Sequence, residues 1–232
     1  MYKELTLIIP TKYEKESVSH VIKEIRKIGI KTIFVLESGD FQTINTIKQF
    51  KSYIYFQKKR GYGQAIIEGL KLVKTKYFCI FNADGSFNPN EIKKMLTIAK
   101  VNNYDLVFGS RYEKNCGSDD DTIITRMGNF FFTKLGNLLF KIGISDILYT
   151  FVLGKTKSIS DLKLKEKDFK LCVELPIKAK VKNLKLSTNK SFERARLAGK
   201  KKVKAFSDGL KILHCMLKIF ILNAKKYSIK KY

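Results

Sequence analysis

Asn82 and Asp84 stand two residues apart, directly after an apolar run over residues 77–81, in the segment Asn82-Ala83-Asp84-Gly85. On an extended backbone, side chains two apart point to the same side. An amide oxygen and a carboxylate oxygen so placed suit a hard divalent cation, magnesium or manganese, which in turn holds a diphosphate. In an open α/β sheet, ligands bind beyond the carboxyl ends of the strands, and an apolar run ending in this carboxylate puts it there. The same residues are ordinary turn formers, so the rest of the chain must decide between a site and a turn.

The elements that would position this pair can be read in order. Residues 5–9 form a short apolar strand closed by Pro10-Thr11, and Val18, Val21, Ile22, Ile25 and Ile28 follow at helical spacing until Gly29. Residues 32–36 read as a strand leading into Glu37-Ser38-Gly39-Asp40, residues 41–50 as a polar helix, and residues 53–56 as a third strand. The basic turn Lys58-Lys59-Arg60-Gly61-Tyr62-Gly63 opens a helix carrying Ala65, Ile66, Leu70 and Val73. After the central strand, Pro89 marks a first helical turn, with Ile92, Met95, Leu96 and Ala99 on one face. Residues 105–109 make another strand, and residues 168–175 and 184–188 are expected to complete the sheet edge. Alternating strands and helices predict an α/β fold with a mostly parallel central sheet flanked by helices.

At 232 residues, 44% hydrophobic and with three prolines, the chain is an ordered domain with a small appendage. The division expected is a domain over residues 1–205 and an amphipathic C-terminal helix over 206–232. No apolar run reaches membrane-spanning length, and no leader precedes the first strand, so a cytoplasmic location is expected. Cys79, Cys116, Cys172 and Cys215 show no paired spacing and read as reduced thiols, not as a zinc site or disulfide framework. The net charge of +25, from 46 basic and 21 acidic residues, implies an anionic partner, unless it is only a solvated lysine surface. Nucleic acid is not expected, because no aromatic–glycine motif or reading helix accompanies the charge.

Taken together, these motifs resemble family 2 glycosyltransferases of the GT-A fold, especially the branch of dolichyl- and polyprenyl-phosphate sugar synthases. The opening Pro-Ala-Tyr-Asn-Glu of that family is similar to Pro10-Thr11-Lys12-Tyr13-Glu14, and its Asp-Asp-Gly-Ser falls on Leu36-Glu37-Ser38-Gly39. Its basic glycine-rich turn matches Arg60-Gly61-Tyr62-Gly63-Gln64-Ala65, its Asp-X-Asp falls on Asn82-Ala83-Asp84, and its Gly-Ser-Arg on Gly109-Ser110-Arg111. A weaker match runs to Arg196-Leu197-Ala198-Gly199-Lys200-Lys201-Lys202. Two acids are replaced, by Leu36 and Asn82. A neutral amide can still ligate magnesium or manganese but adds no charge, so metal affinity should fall. The Ser-Gly-Phe after the later acid is also missing: Asp146 precedes Ile147-Leu148-Tyr149-Thr150.

The resemblance implies inverting transfer of a hexose from a nucleoside-diphosphate sugar to a polyprenyl or dolichyl phosphate. It implies a nucleotide pocket lined by Pro10, Glu14 and Glu37 with Arg60 and Gly61 nearby, and Lys202 closing over the phosphates. Asp84, assisted by Asn82, would hold Mg2+ or Mn2+. Arg111 and Arg126 would receive the acceptor phosphate, with Asp146 orienting a sugar hydroxyl. Two alternatives stand beside this: transfer to a hydroxyl of a cell-surface glycan precursor, or a non-catalytic basic scaffold binding membranes or RNA.

Residues 115–121 form an acidic loop long enough for a lid, or an ordinary solvated insertion. From Arg126 a helix carries Phe130, Phe131, Phe132, Leu135, Leu138 and Leu139, a stripe expected in the core but able to seat against lipid. In the last helix Phe206, Leu210, Leu213, Leu217 and Phe220 repeat at alternating spacings of four and three, with Lys211, Lys218 and Lys225 as a basic stripe. That helix either lies on an anionic membrane surface, peripherally, or packs on the domain or on a second copy in a homo-oligomer.

Overall fold

Strand β1 (Leu5–Pro10) shows how the sequence builds two cores at once. Leu5, Leu7 and Ile9 enter one apolar cluster and Ile8 the other, because successive strand residues face opposite sides of the sheet. The computed structural model describes residues 2–199 and 201–229, the last five of these by backbone alone. Around β1 run α1 (Val18–Ile28), β2 (Lys31–Leu36), α2 (Phe41–Gln49), β3 (Tyr53–Phe56), α3 (Tyr62–Leu72), β4 (Tyr77–Ile80), α4 (Glu91–Val101) and β5 (Leu106–Ser110). Then come β6 (Gly117–Ser118), α5 (Ile123–Phe140), β7 (Val152–Lys155), α6 (Thr156–Ser160), α7 (Leu171–Val181), β8 (Leu186–Lys190), β9 (Phe192–Glu193) and α8 (Ala205–Ile229).

The main sheet has seven strands in the order β3-β2-β1-β4-β7-β5-β8. All neighbouring pairs are parallel except those of β7, which runs antiparallel to both β4 and β5. Phe78 and Ile80 of β4 face the same cluster as α3, α5, α7 and α8, whereas Tyr77, Cys79 and Phe81 face that of α1, α2 and α4. The α/β fold with a mostly parallel sheet is as the alternation implied.

Two expectations are corrected. Residues 168–175 do not complete the sheet edge: α7 occupies Leu171–Val181, and the added strand is β7. Leu171, Val173, Leu175 and Ile177 alternate like a strand, but Glu174, Pro176 and Ala179 are buried as well. A helix enclosed on nearly every side loses the one-faced pattern that marks it. The acidic loop 115–121 is neither a free lid nor a solvated insertion. Its β6 pairs with β9, Asp121 meets Arg111 at 3.4 Å, and Asp120 meets Arg196 at 3.1 Å.

Helices α5 and α8 are each divided lengthwise. Phe132 of α5 and Ile212, Cys215 and Met216 of α8 are buried in one cluster. Phe130, Phe131 and Leu138 are exposed, against the expectation of core, as are Ile123, Ile124 and Met127. On α8 the outward residues are Phe206, Leu210, Leu217, Phe220, Ile221 and Leu222. The expected continuation over residues 230–232 and the side chain of Lys225 lie outside the described residues, as does Lys200.

Candidate active site

The C-terminal ends of β1, β2 and β4 carry Pro10, Glu37 and the Asn82–Asp84 segment respectively. Phe81 donates its N–H to Ile8 O at 2.9 Å, which continues the β4 ladder by one residue before the chain turns. Asp84 is 8% exposed. Its Oδ1 accepts from the Ser86 N–H at 3.0 Å and the Ser86 hydroxyl at 2.7 Å, and its Oδ2 lies 3.6 Å from Arg196. Asn82 Oδ1 lies 3.1 Å from the Tyr62 hydroxyl, which is also 2.8 Å from Thr150 Oγ1.

A strap over residues 194–202 covers this turn. Arg194 N–H bonds Ser86 O and Leu197 N–H bonds Asp84 O, each at 2.9 Å. Gly85 adopts φ +84, and a Cβ there would sit 2.5 Å from the Leu197 side chain, so the strap can lie this close only on glycine. Arg196 reaches Asp120 with two N–H groups, at 3.3 and 3.1 Å. Burial works against its charge, but Asp120, Asp84 and Glu14 together hold its pKa above the ordinary arginine value. Lys201 pairs with Asp120 at 3.2 Å, and Lys202 pairs with Glu14.

On the β2 side, Glu37 holds Lys12 at 3.0 Å and Arg60 at 3.3 Å. Leu36, where the resembled motif has an acid, is fully buried in the core. Gly61 has φ +126, and a Cβ would fall 2.2 Å from Lys167 O, so only glycine lets residues 166–168 lie across the start of α3. Ion pairs link Glu37 to Lys12 and Arg60, Glu14 to Lys202 and Asp84 to Arg196, all at or beyond the C-terminal ends of β1, β2 and β4, where Pro10, Gly61 and Asn82 also lie.

Arg111, Arg126 and Asp146 form a separate cluster. Arg111 grips Asp146 through Nε at 2.7 Å and a terminal nitrogen at 3.1 Å, and Glu193 at 2.9 Å. Asp146 is wholly buried and also accepts from Asn129 at 2.8 Å, so it presents no surface to a sugar hydroxyl. Burial opposes the Arg111 charge, yet Asp146 and Glu193 raise its pKa well above the ordinary value. Burial pushes the Glu193 carboxyl up. Arg126 and Arg111 both lie near the Tyr112 ring, their guanidinium carbons 5.9 and 5.2 Å from its centroid. It is exposed and lines a cavity of about 650 Å³ with Tyr112, Phe130, Lys134 and Ser145.

No group of three His, Cys, Asp or Glu able to hold a metal exists among the described residues. The fit is that of a cation bound by one carboxylate oxygen and completed by substrate phosphates and water, as magnesium commonly is. Asp84 Oδ2 offers that oxygen. Sequence reasoning assigned no role to Arg196, Tyr62, Asp120 or Glu193. Arg196 and Tyr62 lie inside the matched motifs and Asp120 inside the acidic 115–121 loop, whereas Glu193 had no local signal.

A family model described as glycosyl transferase family 2 matches residues 6–163. An uncharacterised protein of Methanocaldococcus jannaschii is 28% identical over 191 residues, covering 79% of this chain and 78% of its own. The glycosyltransferase AglJ of Haloferax volcanii is 23% identical, covering 77% of this chain and 59% of its own. Glucosyl-3-phosphoglycerate synthase of Mycobacterium tuberculosis, crystallised with Mn2+, uridine-diphosphate-glucose and phosphoglyceric acid, superposes with a TM-score of 0.75 at 12% identity, over 93% of this chain and 79% of that one. The same enzyme was also crystallised with Mg2+ and uridine diphosphate. The sheet, the flanking helices and the matched segment agree: this chain belongs to glycosyl transferase family 2 and has the GT-A fold.

Proposed function

We propose that the protein transfers a sugar from a nucleoside-diphosphate sugar to a polyprenyl- or dolichyl-phosphate acceptor at a membrane surface, by inverting, single-displacement hexosyl transfer. The observation that carries the donor half is the cluster of ion pairs around Asp84. Asp84 lies at the end of β4 under a strap whose Arg196, Lys201 and Lys202 pair, among the described residues, with Asp84, Asp120 and Glu14. A diphosphate entering there meets three cations that have carboxylates to exchange. Bound Mg2+ or Mn2+ would offset the charge developing on the departing diphosphate. The neighbours crystallised with those ions and uridine diphosphate support this reading. Asp84 contributes Oδ2, which Arg196 would release to the incoming diphosphate, with Asn82 beside it. Glu37 holds Lys12 and Arg60 at the mouth, near Pro10, Glu14 and Gly61.

For the acceptor, Arg126 is the arginine open to solvent, whereas Arg111 positions the wall through Asp146 and Glu193. A phosphate monoester is already anionic at neutral pH, its second pKa being about 6, and needs no protein base. A buried Asp146 is compatible with that chemistry. The Arg126 cavity adjoins the exposed apolar side of α5, and α8 adds a second apolar face. Together they suit a peripheral enzyme seated on an anionic leaflet. No helix among the described residues is long and apolar enough to cross a membrane.

A second reading, transfer to a hydroxyl of a small phosphorylated acceptor, is favoured by the neighbour holding phosphoglyceric acid. The deciding experiment screens nucleoside-diphosphate sugars with and without Mn2+, then offers the active donor polyprenyl phosphate in vesicles or phosphoglycerate in solution. Turnover with the vesicle acceptor alone supports the first reading. Turnover with phosphoglycerate alone overturns it.

A further inference from the structure

The hydrogen-bond order around Asn82 decides which edge of its amide meets the donor. The Tyr62 hydroxyl touches both Asn82 Oδ1, at 3.1 Å, and Thr150 Oγ1, at 2.8 Å. A phenol has one proton to give. A carbonyl oxygen can only accept, whereas a threonine hydroxyl can donate, so the order runs from Thr150 to Tyr62 to Asn82 Oδ1. That leaves Asn82 Nδ2 with no protein partner among the described residues, and it is not among the buried polar atoms sealed without one. Its N–H groups are therefore within reach of a ligand.

Tyr62 is well held for this task. Its ring stacks on Phe169 with centroids 5.0 Å apart, and Gly61 and Gly63 on either side admit the backbone of residues 166–168. Resting on the nucleotide-sugar reading above, we infer that Asn82 serves as a hydrogen-bond donor to an oxygen of the diphosphate-sugar and not as a metal ligand, and that Tyr62, backed by Thr150, is the positioning residue that turns it so. The metal is then held by Asp84 alone on the protein side. A flipped amide would instead offer Oδ1 as a ligand, with Tyr62 accepting from Nδ2 and donating to Thr150.

Calorimetric titration of the full chain with uridine and guanosine diphosphates separates these arrangements. Each protein is measured in chelator, and the Mn2+ concentration for half-maximal enhancement is measured with the nucleotide present. Asn82→Ala and Tyr62→Phe should each weaken chelator-phase binding by about five- to tenfold, the loss expected for one hydrogen bond. Both should leave the Mn2+ half-point within about twofold, whereas Asp84→Asn should raise it strongly. Thr150→Val should reproduce Tyr62→Phe in weaker form. A Mn2+ half-point raised tenfold in Asn82→Ala, or Tyr62→Phe binding like wild type in chelator, overturns the inference while the functional reading stands. Wild-type protein that binds neither diphosphate under either condition overturns both.

Discussion

Arg111 and Asp146 form a two-point pair, 2.7 and 3.1 Å, in which the carboxylate has no exposed surface and the arginine only 8%. Removing one partner of a buried pair leaves an uncompensated charge and typically costs about 3–5 kcal/mol. Asp146→Ala is therefore expected to lower stability by about that amount, as read by urea denaturation. Catalysis should fail only as the fold fails. An Asp146→Asn enzyme of wild-type stability with no turnover would point instead to direct chemistry at that carboxylate.

Asp84→Ala should remove the gain in nucleotide affinity that Mn2+ provides, and should lower the thermal midpoint without ligand, because the Ser86 N–H and hydroxyl lose their acceptor. Calorimetry with Mn2+ and with chelator makes the comparison. Equal metal enhancement in the variant and wild type would exclude Asp84 as the ligand.

Arg126→Ala should raise the acceptor KM about tenfold or more with little change in kcat, since a bidentate guanidinium–phosphate contact is lost from a solvent-facing cavity. Donor KM should not move. Initial rates at varied acceptor test this, and a shift confined to donor KM would place Arg126 elsewhere in the reaction.

Phe131→Asp with Leu138→Asp on α5 should release the protein from anionic vesicles without weakening nucleotide binding. Burying one such side chain is worth about 1.5–3 kcal/mol. Raising salt should weaken binding further, because basic residues near the surface add about 1 kcal/mol each and are screened. Co-sedimentation unaffected by the double substitution would assign this face to protein packing.

Acid should loosen the strap. Arg194 holds Glu24 through two bonds of 2.9 Å, with His20 3.5 Å from the same carboxylate. The bond to Arg194 lowers the Glu24 pKa from its ordinary value of 4.5. A folded carboxylate that resists protonation adds stability above pH 4.5 and loses it as pH falls through the lowered value. The wild-type melting temperature should thus drop more steeply below pH 4.5 than that of Glu24→Gln, by differential scanning calorimetry.

The β–α alternation was legible because strands buried on both faces and one-faced helices leave clear local patterns, as in Ile8 against Leu7 and Ile9, or Val18 to Ile25. Helix α7 was not, because burial of Glu174 and Pro176 alongside Leu175 erased its polar side. Glu174 is tolerated there because its carboxylate accepts from the backbone of Lys165 and Glu166 and meets Lys178 at 2.6 Å, partners that no local pattern announces. Asp84 was singled out from a strand end, and Glu14 and Glu37 through the family resemblance. Asp120 and Glu193 were not, since their meaning comes only from arginines far away in sequence.

Lys202 meets Glu14 across 188 positions, and Arg196 meets Asp84. On the ribosome, chains fold from the N-terminus as they emerge, so β1 to β5 can assemble well before the strap exists. During that interval Glu14 and Asp84 lack their basic partners, and the cations beside them are Lys12 and Arg60, both held by Glu37. The full set of cations for anionic ligands is therefore complete only when the segment carrying Arg196 and Lys202 folds back.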